Sequence, residues 1–114
     1  MRLNKNISWQ GKYEKLVSGG LSDGVFPYKC VKDVLDFNQS LSYSVIFIDH
    51  LDPDFFIFFS SIKCIVTRKG SSLSHLSILA REYQISVIKV DFPVEIPLSG
   101  NISIDKENNI LCLC

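Results

Sequence analysis

The sequence lacks an excess of charge of either sign, because 12 lysine and arginine residues balance 12 aspartate and glutamate residues. This balance argues against a nucleic-acid-binding protein, which normally gathers a basic excess on one face. An apolar run of about twenty residues, as a membrane-spanning helix requires, is also lacking. The first residues do not form the apolar stretch of a signal peptide. We therefore expect a cytoplasmic protein that binds neither nucleic acid nor membrane.

Metal-binding motifs are lacking as well. The four cysteines, Cys30, Cys64, Cys112 and Cys114, match no common zinc-ligand spacing, and no group of carboxylates has the pattern of a Mg²⁺ site. Cys112 and Cys114 would lie on one face of a strand, which leaves a metal or redox role open. The alternative, which we favour, is small buried thiols in a reducing compartment. We expect no metal to be bound by this chain.

What the sequence does contain suffices for one domain, with 114 residues of which 46% are hydrophobic. Residues 1–10 are predicted to form a loose or partly helical lead-in, and the domain proper spans residues 11–114. Short β-branched segments bounded by polar residues predict strands. These segments are residues 25–31, 43–48, 64–66 and 87–90, with a terminal hairpin of residues 102–105 and 110–114. Because helices are few and local, the predicted fold class is α+β.

Two helix starts are indicated, with one or two further helical turns over residues 33–37. Asp52 can cap a helix whose first position holds Pro53, and we interpret the aromatic run 55–59 after it as core packing. A second helix is predicted to begin within residues 72–75 and to end near Tyr83. Its apolar positions recur at three- and four-residue steps and predict a core-facing side: Leu73, Leu76, Leu79, Ala80 and Tyr83.

His75 is the residue for which the sequence predicts chemistry. A buried strand leads into a polar loop containing Gly70, and His75 lies in or near the first turn of the helix that follows. The first N–H groups of a helix lack intrahelical partners, and with the helix dipole they favour a bound anion. A histidine there can bind phosphate as a cation or, when neutral, accept a phosphoryl group covalently. Nearby cations that can assist are Arg68, Lys69 and Arg81.

Position alone also allows a simpler interpretation, in which a histidine near a helix start is a surface or capping residue. We interpret the other histidine, His50, in this way, as a loop residue without a chemical role.

The segment from Ile65 to Val87 resembles the mobile, swivelling phosphohistidine domain of PEP-utilising enzymes. That family includes pyruvate phosphate dikinase, phosphoenolpyruvate synthase and rifampicin phosphotransferase. Its motif reads Thr-x-x-Gly-Gly-x-x-Ser-His-Ala-Ala-Ile-x-Ala-Arg-Glu-x-Gly-Ile-Pro. The matching positions here are Thr67, Gly70, Ser74, His75, Ile78, Ala80, Arg81, Glu82 and Ile85. Weaker likeness at Ser18-Gly19, Gly24, Asp52-Pro-Asp54 and Asp105 extends the resemblance over residues 11–114, and the fold it implies is a compact β/β/α swivelling domain.

The resemblance also implies roles for individual residues. His75 falls on the histidine that is phosphorylated in the family, through its Nε2 atom. Thr67, Gly70 and Ser74 fall on the loop that cradles the phosphate. Arg81 falls on the motif arginine, for which a structural role and a phosphate-orienting role both stay open.

Several positions depart from the motif. Ser71 replaces the second glycine, which restricts the loop but adds a hydroxyl donor. Arg68 stands where an acid is usual, so a more positive local field is expected. Leu76-Ser77 replaces two alanines, while Gln84 and Ser86 replace the glycine and proline after the helix. These changes indicate a divergent member of the family.

The function implied is a phosphoryl carrier that works with a partner and is not expected to turn over alone. An ATP-grasp-type domain or protein would phosphorylate His75 with Mg-ATP, or phosphoenolpyruvate would serve as donor, and both would be bound by the partner. The group would then pass to an acceptor-site domain or a small molecule. Since the chain contains neither a nucleotide-binding nor an acceptor domain, we expect a free-standing carrier or a domain of a larger enzyme.

Two alternatives are kept. One is a binding or regulatory module of the same fold that is not phosphorylated, which Ser71 and Arg68 motivate. The other, a complete small enzyme such as a phosphatase or hydrolase, is disfavoured because no carboxylate pair, metal set or Ser-His-Asp pattern accompanies His75.

Overall fold

A computed structural model of the chain describes residues 9–32, 43–93 and 95–113. The described chain forms eight strands, one α-helix and one 3₁₀ helix. The strands are β1 Gln10–Lys12, β2 Glu14–Val17, β3 Gly24–Cys30, β4 Val45–Ile48, β5 Cys64–Thr67, β6 Ser86–Lys89, β7 Ser99–Asp105 and β8 Ile110–Leu113. The helices are the 3₁₀ helix Pro53–Phe58 and α1 His75–Glu82.

All eight strands belong to one sheet, in the order β1-β8-β7-β3-β4-β5-β6-β2. The centre, β3 to β6, is parallel, and the outer strands pair antiparallel. Strands β1 and β2 lie at opposite edges of the sheet although Tyr13 alone separates them in the chain. The two edges must therefore come close together, and the sheet curls into a nearly closed barrel. The predicted α+β class and the β/β/α swivelling architecture are confirmed.

Strands β4, β5 and β6 are buried on both faces, as expected for parallel strands covered on one side by helices. In β4, Val45 and Phe47 pack into the core inside the barrel, whereas Ile46 and Ile48 pack into a second core beneath the helices. This division explains why every residue of β4 is buried. The helix-side core also contains Leu76 and Ala80 of α1, together with Phe55, Phe58 and Phe59.

The helix start predicted at Asp52 is confirmed, with a short 3₁₀ helix after it. The Asp52 carboxylate accepts a hydrogen bond from the Asp54 N–H at 2.9 Å, and Pro53 is the first helical residue. The expected core packing of residues 55–59 holds for Phe55, Phe58 and Phe59, but Phe56 and Ile57 are exposed.

The second predicted helix is confirmed as α1, with Ser74 as its N-cap. Leu76 and Ala80 are buried and Leu79 is partly buried, but Leu73 and Tyr83 are exposed. The predicted apolar face was therefore wrong at its two ends. Leu73 precedes the cap and so lies outside the helix, and Tyr83 lies at the C-cap, beyond the last turn.

The remaining strand predictions are confirmed within two residues, except that β7 of the terminal hairpin begins at Ser99, three residues before its predicted start. The helical turn predicted for residues 33–37 lies outside the described residues, as do most of the lead-in and Cys114. The boundary between lead-in and domain stays a prediction.

Gln84, which ends the turn after α1, adopts a backbone conformation that favours glycine. Its φ is 61°, where a Cβ atom costs roughly 1–2 kcal/mol. Replacing Gln84 by glycine, the family residue, is expected to stabilise the fold by about 0.5–1 kcal/mol, because relief of this strain outweighs the added freedom of the unfolded chain. Urea unfolding measures the change. Gln84→Ala retains the Cβ atom and serves as the control, and equal stability of the two variants would contradict the strain argument.

Candidate functional site

The motif loop, residues 68–74, leaves the carboxyl end of β5 and enters α1. It runs beside the end of β4, since the N–H groups of Arg68 and Lys69 lie 3.4 and 3.1 Å from the carbonyl oxygens of Ile48 and Asp49. Carboxyl ends of parallel strands are the usual position of ligand sites in sheets of this kind. The fold thus places the loop and His75 at the edge of the sheet where function is expected.

Thr67 and Gly70 set the path of the loop. The Thr67 hydroxyl donates to the Lys69 carbonyl at 2.7 Å and lies 3.3 Å from the Lys69 N–H, and Thr67 is fully buried. Gly70 has φ 145°, and a Cβ atom there would lie 2.4 Å from Leu51 Cδ1. The described contacts therefore make both residues shapers of the loop, and a phosphate-cradling role for them stays a prediction.

Three serine side chains hold the loop against the start of α1. Ser74 Oγ accepts from the Ser77 N–H at 3.2 Å and donates to Ser77 Oγ at 2.9 Å. Ser77 Oγ in turn donates to the Ser71 carbonyl at 2.8 Å, and Ser71 Oγ accepts from the Leu73 N–H at 3.2 Å. Ser71 and Ser77 are two departures from the family motif, and here they join one hydrogen-bonded network.

Sequence reasoning missed the role of Ser77. Its hydroxyl is fully buried, and it reaches back six residues to a carbonyl of the preceding loop. A serine three residues after a cap serine is a usable signal, because side chains at that spacing lie together on a helix. The sequence analysis identified Ser77 only as a replacement of a family alanine.

His75 is the first residue of α1, and its side chain is exposed. The Ser74 cap occupies the Ser77 N–H, and the Ser74 carbonyl accepts from Ile78. The N–H groups of His75 and Leu76 have no intrahelical partner, as in the first turn of any α-helix. Within the described ranges, no hydrogen-bond acceptor contacts the imidazole. The ring is thus accessible at the positive end of a capped helix.

Arg68 does not make the field around His75 more positive, contrary to expectation. Its guanidinium pairs with the Asp49 carboxylate and donates to the Phe92 and Pro93 carbonyls at 2.8 Å. It also lies 3.9 Å above the centroid of the Phe92 ring, within the range of a cation–π contact. Arg68 joins the ends of β4 and β5 to the segment after β6, and its charge is balanced locally.

Arg81 lies in the last turn of α1 and is exposed. It lies six positions after His75, which corresponds to about 9 Å along the helix axis. Thr67, Gly70, Ser74 and His75 thus lie along one stretch from the end of β5 to the start of α1, whereas Arg81 lies at the opposite end of the helix. Its assignment to phosphate binding stays a prediction.

A cleft of about 400 Å³ opens at the same edge of the sheet, between the ends of β3, β4 and β5. Phe47, His50, Arg68 and Phe92 are among its lining residues, and His75 is not. The His75 imidazole therefore lies outside this cleft, on the exposed surface at the start of α1. No three metal-ligating side chains come together among the described residues. The helices in that part of the chain also lack the length and hydropathy of a membrane span.

The family model described as PEP-utilising enzyme, mobile domain, matches residues 42–92. The matched segment runs through β4, the 3₁₀ helix, β5, the motif loop, α1 and β6, so the mobile-domain match contains the whole candidate site. A comparison with curated proteins finds no match. The resemblance of the motif to the mobile domain is confirmed, while the roles of its single residues stay predictions.

The serine network predicts a stability cost when its central hydroxyl is removed. Ser77→Ala, which restores a family residue, is expected to lower the free energy of unfolding by about 1–3 kcal/mol, because the Ser71 carbonyl and the Ser74 hydroxyl each lose a part-buried hydrogen bond to Ser77. Urea unfolding measures the change. Ser72→Ala in the same loop is the matched control and is expected to stay within about 0.5 kcal/mol of the parent. Equal stability of both variants would show that the network contributes nothing.

Proposed function

We propose that this mobile domain is a phosphoryl carrier, in which His75 accepts a phosphoryl group at one site and passes it to an acceptor at a second site. The observation that carries the proposal is the placement of His75, exposed at the start of a capped helix and directly after a loop fixed by internal hydrogen bonds. Mobile domains of this family are typically phosphohistidine carriers. Because the His75 side chain is exposed, a partner protein can reach it.

The reaction requires a neutral imidazole with a lone pair on the attacking nitrogen. That lone pair forms a bond to the donor phosphorus, while the bond from phosphorus to the leaving oxygen breaks and its electron pair departs with ADP or enolpyruvate. In the second half-reaction an acceptor oxygen bonds to phosphorus, and the P–N electron pair returns to the ring. The acceptor's proton leaves to a base or water of the acceptor site.

The start of α1 supports the phosphorylated state. The unpaired N–H groups and the positive helix end attract the new negative charge, an effect of roughly 0.3–1 kcal/mol at an exposed position. Since no described residue accepts from the ring N–H, solvent or the docked partner must fix the tautomer.

The donor site belongs to a partner in this proposal. An ATP-grasp-type domain or protein binding Mg-ATP, or a site binding phosphoenolpyruvate, supplies the group, in the same polypeptide or a separate one. A second domain or a small molecule receives it. Phosphoryl transfer needs positioning and charge stabilisation at the moment of reaction. Since His75 is exposed and lies outside the described cleft, the partner must provide them.

The alternative function, a binding module that is not phosphorylated, is less well supported. Two departures from the family motif suggested it, namely Ser71 in place of glycine and Arg68 in place of an acid. Ser71 is not among the described residues with positive φ, so its Cβ atom causes no backbone strain there. Arg68 is paired with Asp49. Neither departure obstructs the imidazole, and the carrier function is therefore favoured.

Intact-mass measurement of the protein, incubated with candidate ATP-grasp-type proteins and Mg-ATP or with phosphoenolpyruvate, tests the proposal. The expected gain is one phosphate, labile in acid and stable in base, as a phosphorus–nitrogen bond requires. An acid-stable gain would assign the phosphate to a hydroxyl such as Ser72 or Ser74. No gain in the presence of an active partner would favour the binding module.

A further inference from the structure

Lys69, in the motif loop, combines a fixed backbone with an exposed side chain. Its N–H donates to the Asp49 carbonyl at 3.1 Å, and its carbonyl accepts from the Thr67 hydroxyl at 2.7 Å. The next residue, Gly70, lies so close to Leu51 that a Cβ atom there would be 2.4 Å from Leu51 Cδ1. The side chain of Lys69 is nevertheless exposed. The fold therefore holds the base of this cationic side chain in place and leaves the side chain open to solvent.

The charge of Lys69 is not balanced by a carboxylate. Within the part of the chain that the structure describes, no ion pair includes Lys69. Asp49, whose carbonyl accepts from the Lys69 N–H, pairs its carboxylate with Arg68. Arg81 lies at the far end of α1, next to Glu82. Of the two cations in the loop, Lys69 is thus the one whose charge stays available.

The serine hydroxyls on either side of His75 are committed inside the fold. The Ser74 hydroxyl donates to Ser77 Oγ, and the Ser77 hydroxyl donates to the Ser71 carbonyl. Because a hydroxyl carries a single proton, neither of the two donors can also bind a phosphate oxygen while this network is intact. Of the charged side chains in the loop, that of Lys69 is left to meet a negative charge on His75.

We infer that the Lys69 ammonium contacts the phosphoryl group that His75 accepts. This inference rests on the proposed carrier function, and it adds one group of this chain to the charge stabilisation that the partner provides. The transferring group spreads its negative charge over three oxygens, so a cation beside them lowers the barrier and stabilises the phosphorylated imidazole. Lys69 is in that case a catalytic residue of the carrier, whichever donor supplies the group.

The path of the loop brings Lys69 within reach of His75. The Ser71 carbonyl accepts from the Ser74 N–H at 3.2 Å and from the Ser77 hydroxyl at 2.8 Å, so Ser71 lies against the first turn of α1. Lys69 precedes Ser71 by two positions, at most about 7 Å of chain, and its four-carbon stem carries the ammonium further. The Cα–Cβ bonds of an α-helix point toward its N-terminus. The His75 side chain therefore leaves the helix on the side from which the loop arrives.

Phosphoramidate tests the contact without a partner protein. The lone pair of the neutral imidazole bonds to phosphorus, the phosphorus–nitrogen bond of the reagent breaks, and its electron pair leaves with ammonia while the remaining ring proton passes to water. The reaction is followed by intact mass in a His50→Ala background, in which His75 is the one histidine left. Lys69→Gln is expected to slow it at least about fivefold, the effect of one charge pair about 4 Å apart in water.

Two further variants show whether the effect follows the charge at this position. Lys69→Arg keeps the charge and is expected to react at nearly the parental rate. Lys63→Gln is the matched control, because it removes an exposed lysine just before β5, at the opposite end of that strand from the loop. Urea unfolding should give the parental midpoint for all three variants, since neither lysine belongs to a core.

The outcomes separate the contact from the function on which it rests. A parental rate for Lys69→Gln, with phosphoramidate and with an active donor, would overturn the contact and leave the carrier function intact. Equal slowing in Lys69→Arg, or in Lys63→Gln, would also overturn it, because the effect would then not depend on a charge at this position. A parent that reacts with phosphoramidate but with no donor would remove the carrier function, and the phosphoramidate rates would still decide the contact.

Discussion

His75→Ala is expected to abolish phosphate acceptance completely while changing the free energy of unfolding by no more than about 0.5 kcal/mol. The loss is total because the variant has no nitrogen lone pair at the reacting position. The fold should be unaffected because the side chain is exposed and contributes to neither core. Intact mass after incubation with donor measures the first effect, and urea unfolding measures the second.

His50 provides a matched control for this variant, since the chain has two histidines. Its side chain is 66% exposed, and its Nε2 atom lies 4.0 Å from the Asp52 carboxylate. His50→Ala should accept phosphate at the parental level. Retention of phosphate by His75→Ala, or its loss in His50→Ala, would move the chemistry away from the motif. Unfolding of His75→Ala would make the residue structural.

Ser86→Pro, which restores the family residue, is expected to destabilise the fold by at least about 3 kcal/mol. Ser86 Oγ accepts from the N–H groups of Gly19 and Leu21 at 3.1 and 3.0 Å, and its own N–H donates to the Lys63 carbonyl at 3.0 Å. Proline provides neither the hydroxyl nor the N–H. Three backbone groups lose their partners, at about 1–3 kcal/mol for each that stays buried.

Ser86→Ala separates the two contributions, because alanine keeps the N–H and loses only the hydroxyl. An intermediate loss of about 2 kcal/mol is expected, measured by urea unfolding of all three proteins. A Ser86→Pro protein as stable as the parent would mean that the turn containing Gly19 and Leu21 does not depend on this serine. Gly19 approaches this backbone so closely that a Cβ atom would lie 2.5 Å from the Ser86 nitrogen, so little room exists for an alternative arrangement.

The sequence predicted those parts of the fold that depend on neighbouring residues. The strand positions of β4 and β5 follow from short β-branched segments, and the helix starts at Asp52 and Ser74 follow from cap residues whose partners lie two or three positions away. The position of His75 at the start of α1 follows from the same local signal. The other predicted site residues, Thr67, Gly70, Ser74 and Arg81, came from the resemblance of the motif.

Contacts between distant segments were not predictable in this way. Ser86 bonds to Gly19 and Leu21 across more than sixty residues, and Arg68 reaches the carbonyl of Phe92 across 24. At Tyr13 the chain passes from one edge strand of the sheet to the other. No pattern in the neighbouring residues predicts this passage. Such contacts are set by tertiary packing, and a single sequence does not encode them as a pattern.

The departures from the family motif are best understood through these contacts. Ser71 and Ser77 share one network, and Arg68 is balanced by Asp49. The Ser86 hydroxyl accepts hydrogen bonds from the N–H groups of Gly19 and Leu21. Four of the replaced positions therefore have partners of their own in this chain, while Gln84 keeps a strained backbone. Restoring single family residues should accordingly destabilise the fold at positions 77 and 86 and stabilise it at position 84.

Localisation of the phosphate within the chain tests the carrier account most directly. After reaction with donor and fragmentation at alkaline pH, mass spectrometry should place a single phosphate on the fragment that contains His75 and on its imidazole. A phosphate on Ser72, Ser74 or His50, or an unmodified chain beside a donor shown to be active, would contradict the account.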